Sequence, residues 1–350
     1  MRTSITYRVL EVANYETITA CIGDNPKQRR WRDYPDWGAE LLQFHAPDTR
    51  LYIGALEDEK LVGCMIAHPN ILRSRGKTFN AAVIAITEVL MSHRKQGIAS
   101  KMLEKMLAQL TSLNFELVLT FQTAGRGGKN ILKRAGFQKI YKYGHAGKVL
   151  DKNRMDKLMD LNPILRKIAL KIISEKIGET EPARGVIREV KDEDLDQIVD
   201  LLNQESDRLD IAGYWTKEYL KKNIDWRYKV FVLEDKGKIL GAVITYTEIG
   251  TLGKDYFTTG FLKELVFQDG VEEMEKQILV NNILKRFKKM EIPSVSYPYP
   301  KNVWKVLKKL GFHTLPGDER TAFIKALTTT AQNQISSIQK YRYVNVFLIC

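Results

Sequence analysis

The feature that most constrains the fold of this chain is a weak internal repeat. Leu233-Glu234-Asp235 follows Leu56-Glu57-Asp58 by 177 residues, and Gly241 follows Gly63 by 178. Further along, Gly311-Phe312 follows Gly136-Phe137 by 175 residues. Any one of these matches could arise by chance. Three nearly constant offsets in one chain of 350 residues predict two copies of the same domain.

Each copy also has the same predicted order of elements. A first strand, a hairpin, a central apolar strand, a long amphipathic helix, a buried strand and a short helix ending in Gly-Phe follow one another. In the first copy the long helix carries one apolar stripe, formed by Ile98, Met102, Leu103, Met106, Leu107, Leu110 and Leu113. This order predicts two α/β (α+β) domains, each a mixed, mostly antiparallel central sheet flanked by helices.

The repeat also predicts where the domains begin and end. We expect a first domain over residues 1–144, a helical linker over 145–184, a second domain over 185–330 and a tail over 331–350. Within the linker, residues 156–177 have helical apolar periodicity. The tail ends in an apolar, strand-like stretch, so it is predicted to dock on a sheet edge or on the other domain.

One segment of the first copy stands out for its chemistry. The apolar strand at residues 81–91 runs into Arg94-Lys95-Gln96-Gly97-Ile98-Ala99-Ser100, which opens the long helix. Backbone N–H groups at a helix start, with the positive end of the helix dipole, make a site for anions. Gly97 lets a ligand approach the backbone closely, and small Ala99 keeps the next approach open. The segment therefore predicts a pyrophosphate site, with a basic helix start that binds nothing as the alternative.

The residues Arg94-Lys95-Gln96-Gly97-Ile98-Ala99 resemble the pattern Arg/Gln-x-x-Gly-x-Gly/Ala of the GNAT acetyltransferases. Their position between an apolar strand and an amphipathic helix is also similar to that family, as is the later helix ending at Gly136-Phe137. The resemblance covers about residues 5–144 well and 186–328 weakly. It implies an N-acetyltransferase in which acetyl-CoA is the co-substrate and a primary amine of a small molecule, peptide or protein is the acceptor.

The resemblance implies roles for residues on both sides of the turn. Arg94 and the segment Lys95 to Ser100 (Lys95, Gln96, Gly97, Ile98, Ala99 and Ser100) would hold the pyrophosphate. Thr87, Glu88 and Val89 would pair with the pantetheine arm, which lies like an extra strand where two neighbouring strands splay apart. A backbone N–H near Val89 or Leu90 would stabilise the tetrahedral oxyanion.

Glu88 is the candidate catalytic side chain. It is the only carboxylate in the apolar run 81–91, and strand alternation places it on the face opposite Thr87 and Val89. A partly buried carboxylate there could take the amine proton, directly or through water. A structural glutamate paired with an arginine is the open alternative.

The chain departs from the family at the position of the general acid. Many members carry a tyrosine four residues before the Gly-Phe and an asparagine seven residues before that tyrosine. This chain has Leu132 and Gly125 there. The acid that protonates the leaving thiolate is therefore unassigned, with water, Tyr141 and Tyr143 as alternatives.

The second copy lacks the basic turn. In place of residues 94–99 it has Gln268-Asp269-Gly270-Val271-Glu272-Glu273, whose three carboxylates would face a pyrophosphate. Its counterpart of Leu132 is Leu307. We predict a degenerate domain that shapes the acceptor site or an interface.

The charge and composition leave a second class of function open. The formal net charge is +13, and most of the excess lies in the first 144 residues. This favours an anionic partner, either coenzyme A or nucleic acid, unless the basic surface is merely solvated. Basic and aromatic residues alternate over residues 24–37, a segment that could be an acceptor-site lid, a plain loop or a nucleic-acid contact. The alternative function is a CoA-sensing or nucleic-acid-associated protein without turnover.

The remaining composition predicts no metal centre and no membrane span. Three widely spaced cysteines and five histidines show no ligand spacing, and the cysteines show no disulfide framework. No apolar run approaches the roughly 20 residues that a membrane helix needs. We therefore expect a cytoplasmic, metal-free protein that could form a homodimer.

Overall fold

The computed structural model describes residues 4–10, 15–25, 30–45, 49–123, 128–158, 176–182, 184–252, 255–298, 304–314, 320–338 and 344–345. These residues form two compact units, each built around its own sheet. The first unit comprises residues 1–142, 209–214 and 320–350, and the second comprises residues 143–208 and 215–319.

The first unit contains a nine-stranded sheet. Its main path follows the order β1-β2-β3-β4-β5-β15-β6. Two short strands lie off this path: β9 pairs with β3, and β16 pairs with β9. The strands are β1 (Ile5–Val9), β2 (Tyr52–Glu57), β3 (Lys60–Ser74), β4 (Lys77–Val89), β5 (Leu117–Thr123), β6 (Gln138–Tyr143), β9 (Ile211–Gly213), β15 (Arg320–Ala326) and β16 (Val344–Asn345). The helices are α1 (Tyr15–Gly23), α2 (Arg30–Asp33), α3 (Pro35–His45), α4 (Ile98–Ser112), α5 (Lys129–Arg134) and α11 (Thr329–Ser336).

The second unit contains a seven-stranded sheet in the order β14-β7-β13-β12-β11-β10-β8. Its strands are β7 (His145–Val149), β8 (Val186–Glu189), β10 (Lys229–Asp235), β11 (Lys238–Leu252), β12 (Asp255–Phe267), β13 (Ser294–Pro298) and β14 (His313–Thr314). Its helices are α6 (Lys152–Leu158), α7 (Leu195–Asp207), α8 (Lys217–Trp226), α9 (Glu273–Lys289) and α10 (Trp304–Lys309).

The two sheets have the same internal plan, in agreement with the predicted fold class. In each sheet a long antiparallel hairpin, β3–β4 or β11–β12, is followed by one parallel pairing, β4 with β5 or β12 with β13. Gly63 lies opposite Val89, and Gly241 lies opposite Phe267, so the offset of 178 read from the sequence holds in the strand register. The apolar stripe of α4 packs on β2, β3 and β4, and Ile98, Met102 and Leu110 are fully buried there.

The observed units differ from the predicted division of the chain in where two strands lie. Strand β7 falls in the predicted linker but belongs to the second sheet, between β13 and β14. Strand β15 falls in the predicted second domain but lies between β5 and β6 of the first sheet. Each sheet therefore includes a strand from outside its own continuous stretch, because strand pairing depends on distant partners that local sequence does not identify.

The structure describes only parts of the predicted linker and tail. The helix expected over residues 156–177 lies mostly outside the described residues, and α6 covers only its beginning. In the tail, Val344–Asn345 pairs in parallel with Ile211–Ala212. In the part of the chain that the structure describes, no helix is long and apolar enough to cross a membrane.

Candidate functional site

The site begins where β4 separates from β5. These strands pair in parallel from Ala81–Leu117 to Ile84–Thr120, and the Thr120 hydroxyl donates to the Ile84 carbonyl at 3.0 Å. On the other side of β4, a bulge at Ala85 shifts the register with β3. Beyond it, β4 continues to Val89 with no described pairing to β5. A β-bulge bends its strand and re-aims the residues that follow, which accounts for the gap at this point.

The backbone of β4 presents alternate residues to this gap. The Leu90 N–H donates to the Val62 carbonyl at 2.9 Å, so the backbone of Leu90 faces β3. In an antiparallel pair the direction alternates, so Glu88 also faces β3, whereas Thr87 and Val89 face the gap. This differs from the expected pairing of Glu88 with a pantetheine arm, and it leaves Val89 rather than Leu90 as the oxyanion donor to consider.

The side chain of Glu88 lies on the opposite face from the helix α4. Val89 packs with the core under α4, and a side chain at Gly63, its cross-strand neighbour, would meet Met102 and Ile98. Glu88 lies opposite Cys64, on the face that packs against α1. Its side chain is only 10% exposed. Asn25 Nδ2 donates to Glu88 Oε1 at 2.9 Å, and Arg94 Nη2 lies 3.5 Å from Glu88 Oε2.

The turn after β4 places uncapped backbone groups at a helix start. A single 3₁₀ turn, Met91–His93, follows the strand, and α4 begins at Ile98. Lys95 and Gly97 both adopt left-handed conformations, with φ of +65° and +82°. Gly97 is the N-cap residue and has no side chain that could cap α4, and the Ser100 N–H donates to the Gly97 carbonyl at 3.1 Å. A Cβ at Gly97 would meet nothing within 4 Å. Such an open, uncapped helix start can bind an anion through its N–H groups.

The side chains of the turn divide into two groups. Lys95 is exposed, and Ala99 and Ser100 are partly buried at the start of α4. Arg94 instead turns back to the strand, where its Nε donates to the Val89 carbonyl at 3.0 Å. The amide of Gln96 lies 3.5 Å from the Ser92 carbonyl. The guanidinium of Arg94 therefore contacts Val89 and Glu88 at the end of β4, although the sequence predicted it in the pyrophosphate site.

Comparison with known proteins identifies this arrangement. A family model for the acetyltransferase (GNAT) domain matches residues 15–138. This part of the chain, which spans about a third of the 350 residues, is similar to the GNAT domain. No curated protein matches the sequence.

Solved structures with the same fold cover nearly the whole chain. One is the N-myristoyltransferase of Saccharomyces cerevisiae with bound myristoyl-CoA, at 15% identity and a TM-score of 0.70, over 93% of this chain and 79% of that one. Another is a GCN5-related N-acetyltransferase from Anabaena variabilis, at 10% identity and a TM-score of 0.62, over 94% and 74%. A third, from Kribbella flavida, has 12% identity and a TM-score of 0.60, over 94% and 72%. At these identities they show the fold, which here is a tandem of two GNAT-like sheets.

The structure describes only part of the region where the family resemblance would place the leaving-group acid. Leu132 lies in α5 and packs half-buried against the core under α4. Gly125 lies outside the described residues, as does everything from 124 to 127. Tyr141 packs half-buried against the core that includes Leu119 and Ile324. For Tyr143 only the backbone is described.

The basic and aromatic segment at residues 24–37 is not a continuous loop. Residues 26–29 lie outside the described residues, and the segment then forms α2 and the beginning of α3. Trp31 is buried against Gly38. Asp24 and Asn25, at the end of α1, contact β4 and the turn, which sequence analysis missed. No local signal could have shown this contact, because Asn25 and Glu88 are 63 residues apart.

The second domain closes the corresponding helix start with carboxylates. At the start of helix α9, the Glu272 N–H donates to the Glu275 carboxylate at 3.2 Å. Asp269 accepts from Arg208 Nη2 at 2.8 and 2.9 Å. By strand register, the counterpart of Glu88 is Val266. Among the described residues no group of three or more potential metal ligands occurs.

Proposed function

We propose that the first domain transfers an acetyl group from acetyl-CoA to a primary amine, by direct attack in a ternary complex. The observation that carries the proposal is the open edge of β4 leading to the uncapped start of α4. The second domain has a similar splay of strands, but the N–H of Glu272 at its helix start already donates to Glu275, and Asp269 in the turn adds a further negative charge. The GNAT domain and the fold of its neighbours support acyl-CoA-dependent N-acyl transfer.

In this proposal the cofactor lies along β4 and ends at α4. The backbone N–H groups from Lys95 to Ser100 (Lys95, Gln96, Gly97, Ile98, Ala99 and Ser100) hold the pyrophosphate, and the dipole of α4 stabilises its charge. The pantetheine arm pairs with the backbone of Thr87, which faces the gap. The Val89 carbonyl already accepts from Arg94 Nε at 3.0 Å, so Val89 offers its N–H to the thioester end of the cofactor. Arg94 contributes its charge next to the strand end, where it also contacts Glu88.

The chemical step follows from this placement. The amine nitrogen attacks the thioester carbonyl carbon, and the carbonyl electrons move to oxygen. The N–H of Val89 stabilises that oxyanion. Glu88 accepts the proton that the amine loses. The tetrahedral intermediate then collapses, the C–S bond breaks, and the CoA thiolate leaves and takes a proton from water or from a tyrosine such as Tyr141.

The acetyl group and the amine acceptor are the finer parts of the proposal. One structural neighbour holds myristoyl-CoA, so acyl length has to be measured. The acceptor is an amine-bearing small molecule or a peptide. Cys21 and Cys64 are free thiols, which fits a reducing, cytoplasmic setting for the reaction.

Release of free CoA thiol tests the proposal. The full chain is incubated with acetyl-CoA or myristoyl-CoA and a panel of amines, peptides and aminoglycosides. We expect amine-dependent thiol release with acetyl-CoA, and calorimetry should give one CoA site per chain. Faster turnover with myristoyl-CoA than with acetyl-CoA would show that the transferred group is a long acyl chain. Two equivalent CoA sites would contradict the assignment of the site to the first domain.

A second candidate is a CoA-sensing protein without turnover. Two observations favour it: Leu132 replaces the usual tyrosine, and the candidate base is already paired with Arg94. Tight CoA binding without thiol release for any acceptor would support this function. For nucleic-acid association the structure offers less support, because Trp31 is buried and cannot stack on a base.

A further inference from the structure

The end of helix α1 is joined to the end of strand β4 by two adjacent side chains. Asp24 Oδ2 accepts the N–H of Met91 at 2.9 Å, and Asn25 Nδ2 donates to Glu88 Oε1 at 2.9 Å. Met91 is the first residue of the turn and Glu88 the candidate base. The two contacts therefore connect the strand end, the turn and the base to the two residues that follow α1.

The contact to Glu88 differs from an ordinary surface hydrogen bond. The Glu88 side chain is 10% exposed, so solvent replaces a lost partner poorly. Its two oxygens have different donors, with Asn25 at Oε1 and Arg94 at Oε2. The Arg94 contact is the longer of the two, at 3.5 Å, and that arginine also donates to Val89. Asn25 therefore makes the shorter and more direct of these two contacts.

We infer that Asn25 is a positioning residue, which holds the carboxylate of Glu88 on the α1 face of β4 and keeps it in its charged form. The inference rests on the proposed function, because it assigns Asn25 to the same site. A donor to a carboxylate favours the charged form, and a base must be charged to accept the amine proton. Asn25 would thus raise the fraction of molecules in which Glu88 is charged and can accept a proton.

The other groups that face Glu88 set the background for a titration. Cys64 lies opposite Glu88 on β3, and Cys21 on α1 is hydrogen-bonded to it. The hydrogen bond with Cys21 and complete burial raise the pKa of the Cys64 thiol well above its ordinary value, so this group stays neutral. Arg94 lies 3.5 Å from the other Glu88 oxygen, and Asp24 precedes Asn25 in the chain. Because these neighbours are the same in the unmodified chain and in the Asn25 variants, the difference between the Glu88 titrations reports on Asn25.

The test compares Asn25→Ala and Asn25→Asp with the unmodified chain. Alanine removes the donor, and aspartate also adds a like charge beside Glu88. The proton affinity of Glu88 should rise about tenfold in Asn25→Ala and further in Asn25→Asp. Nuclear magnetic resonance of the chain labelled with ¹³C at the glutamate carboxyl groups measures it, with the Glu88 signal identified by its absence from Glu88→Gln. This readout needs no acceptor.

The controls separate this inference from the proposed function. Glu16→Gln changes an exposed residue at the other end of α1 and should leave the Glu88 titration as it is. If thiol release is found, the acid limb of kcat/KM should move to higher pH in the same order as the titration. A titration that moves without any thiol release would leave Asn25 as a positioning residue and remove the acetyltransferase function. An unchanged Glu88 titration in either folded Asn25 variant would overturn the inference.

Discussion

The turns that follow the central strands of the two domains differ although the strands before them have the same register. In the first domain, Gly97 begins α4 with no side-chain cap and open space in front of it. In the second domain, the Glu275 carboxylate accepts from the Glu272 N–H at the start of α9, and Asp269 is paired with Arg208. A capped helix start has its N–H groups satisfied within the chain, and an uncapped one can accept a ligand. The same fold therefore carries the proposed anion site in one copy and a helix start with acidic side chains in the other.

The largest expected effect comes from a negative side chain in the open turn. Gly97→Glu should abolish detectable CoA binding in calorimetry, because a carboxylate would occupy the place of the pyrophosphate. Gly270→Glu is a matched control, since Gly270 has φ of +81° against +82° for Gly97 and nothing within 4 Å of either Cβ. Both variants carry the same backbone strain of about 1–2 kcal/mol. Loss of CoA binding in Gly270→Glu, with normal CoA binding in Gly97→Glu, would place the CoA site in the second domain instead of the first.

The next effect concerns Glu88, whose counterpart in the second domain is Val266. Glu88→Gln should lower kcat by about 10²–10⁴-fold, because glutamine keeps the size of the side chain but cannot accept the amine proton. Affinity for acetyl-CoA should be unchanged, because the contacts of the strand come from the backbone of Thr87 and Val89. The loss should shrink at high pH, where free amine is abundant.

The structural alternative for Glu88 predicts a different outcome. If Glu88 only forms an ion pair with Arg94, Glu88→Gln should lower the melting temperature, and any lost activity should not return at high pH. Normal turnover across the pH range, in a stable variant, would remove the catalytic role altogether.

The smallest effect concerns the acid dependence of the second domain. Arg188, by donating two hydrogen bonds of 2.6 and 2.9 Å, lowers the pKa of Asp194 below its ordinary value, and the Lys191 N–H also donates to this carboxylate. Because the folded pKa is depressed, the stabilisation is complete above the unfolded pKa of about 3.9 and is lost as the pH falls through the folded pKa.

Asp194→Asn tests this by calorimetric unfolding. The Asp194 side chain is 5% exposed, so we expect a loss of about 3 kcal/mol at pH 7 that diminishes below about pH 4. Asp196→Asn is the comparison, because Asp196 is 71% exposed and forms only a surface pair with Lys217. An equal effect from both variants would show that burial of the Arg188–Asp194 pair is not what matters.

Much of each domain could be predicted from local patterns. The apolar stripe predicted the long helix from Ile98, and the structure has α4 over Ile98–Ser112. The central strand and the buried strand were predicted within a few residues of β4 and β5. These elements depend on the spacing of apolar residues and on glycine at a left-handed position, which are properties of short segments.

Parts of the candidate site could also be predicted, but not its connections. The pattern from Arg94 to Ser100 indicated the turn, and alternation indicated that Glu88 lies opposite Thr87 and Val89. The bulge at Ala85, the direction of the Leu90 N–H and the contacts of Asn25 with Glu88 were not predictable. Each depends on the register with another strand or on where a distant helix ends.

By itself, the sequence determined that the chain holds two copies of one order of elements and that only the first carries a basic, glycine-containing turn. The tertiary structure decided which strands complete each sheet, with β15 inserted in the first and β7 in the second. It also decided that Arg94 turns back to Glu88 and that α1 holds the strand end. The physical reason is range: helix periodicity, turns and caps arise from neighbours in sequence. Sheet edges and buried carboxylates, in contrast, are satisfied by whichever distant groups the fold brings within hydrogen-bonding distance.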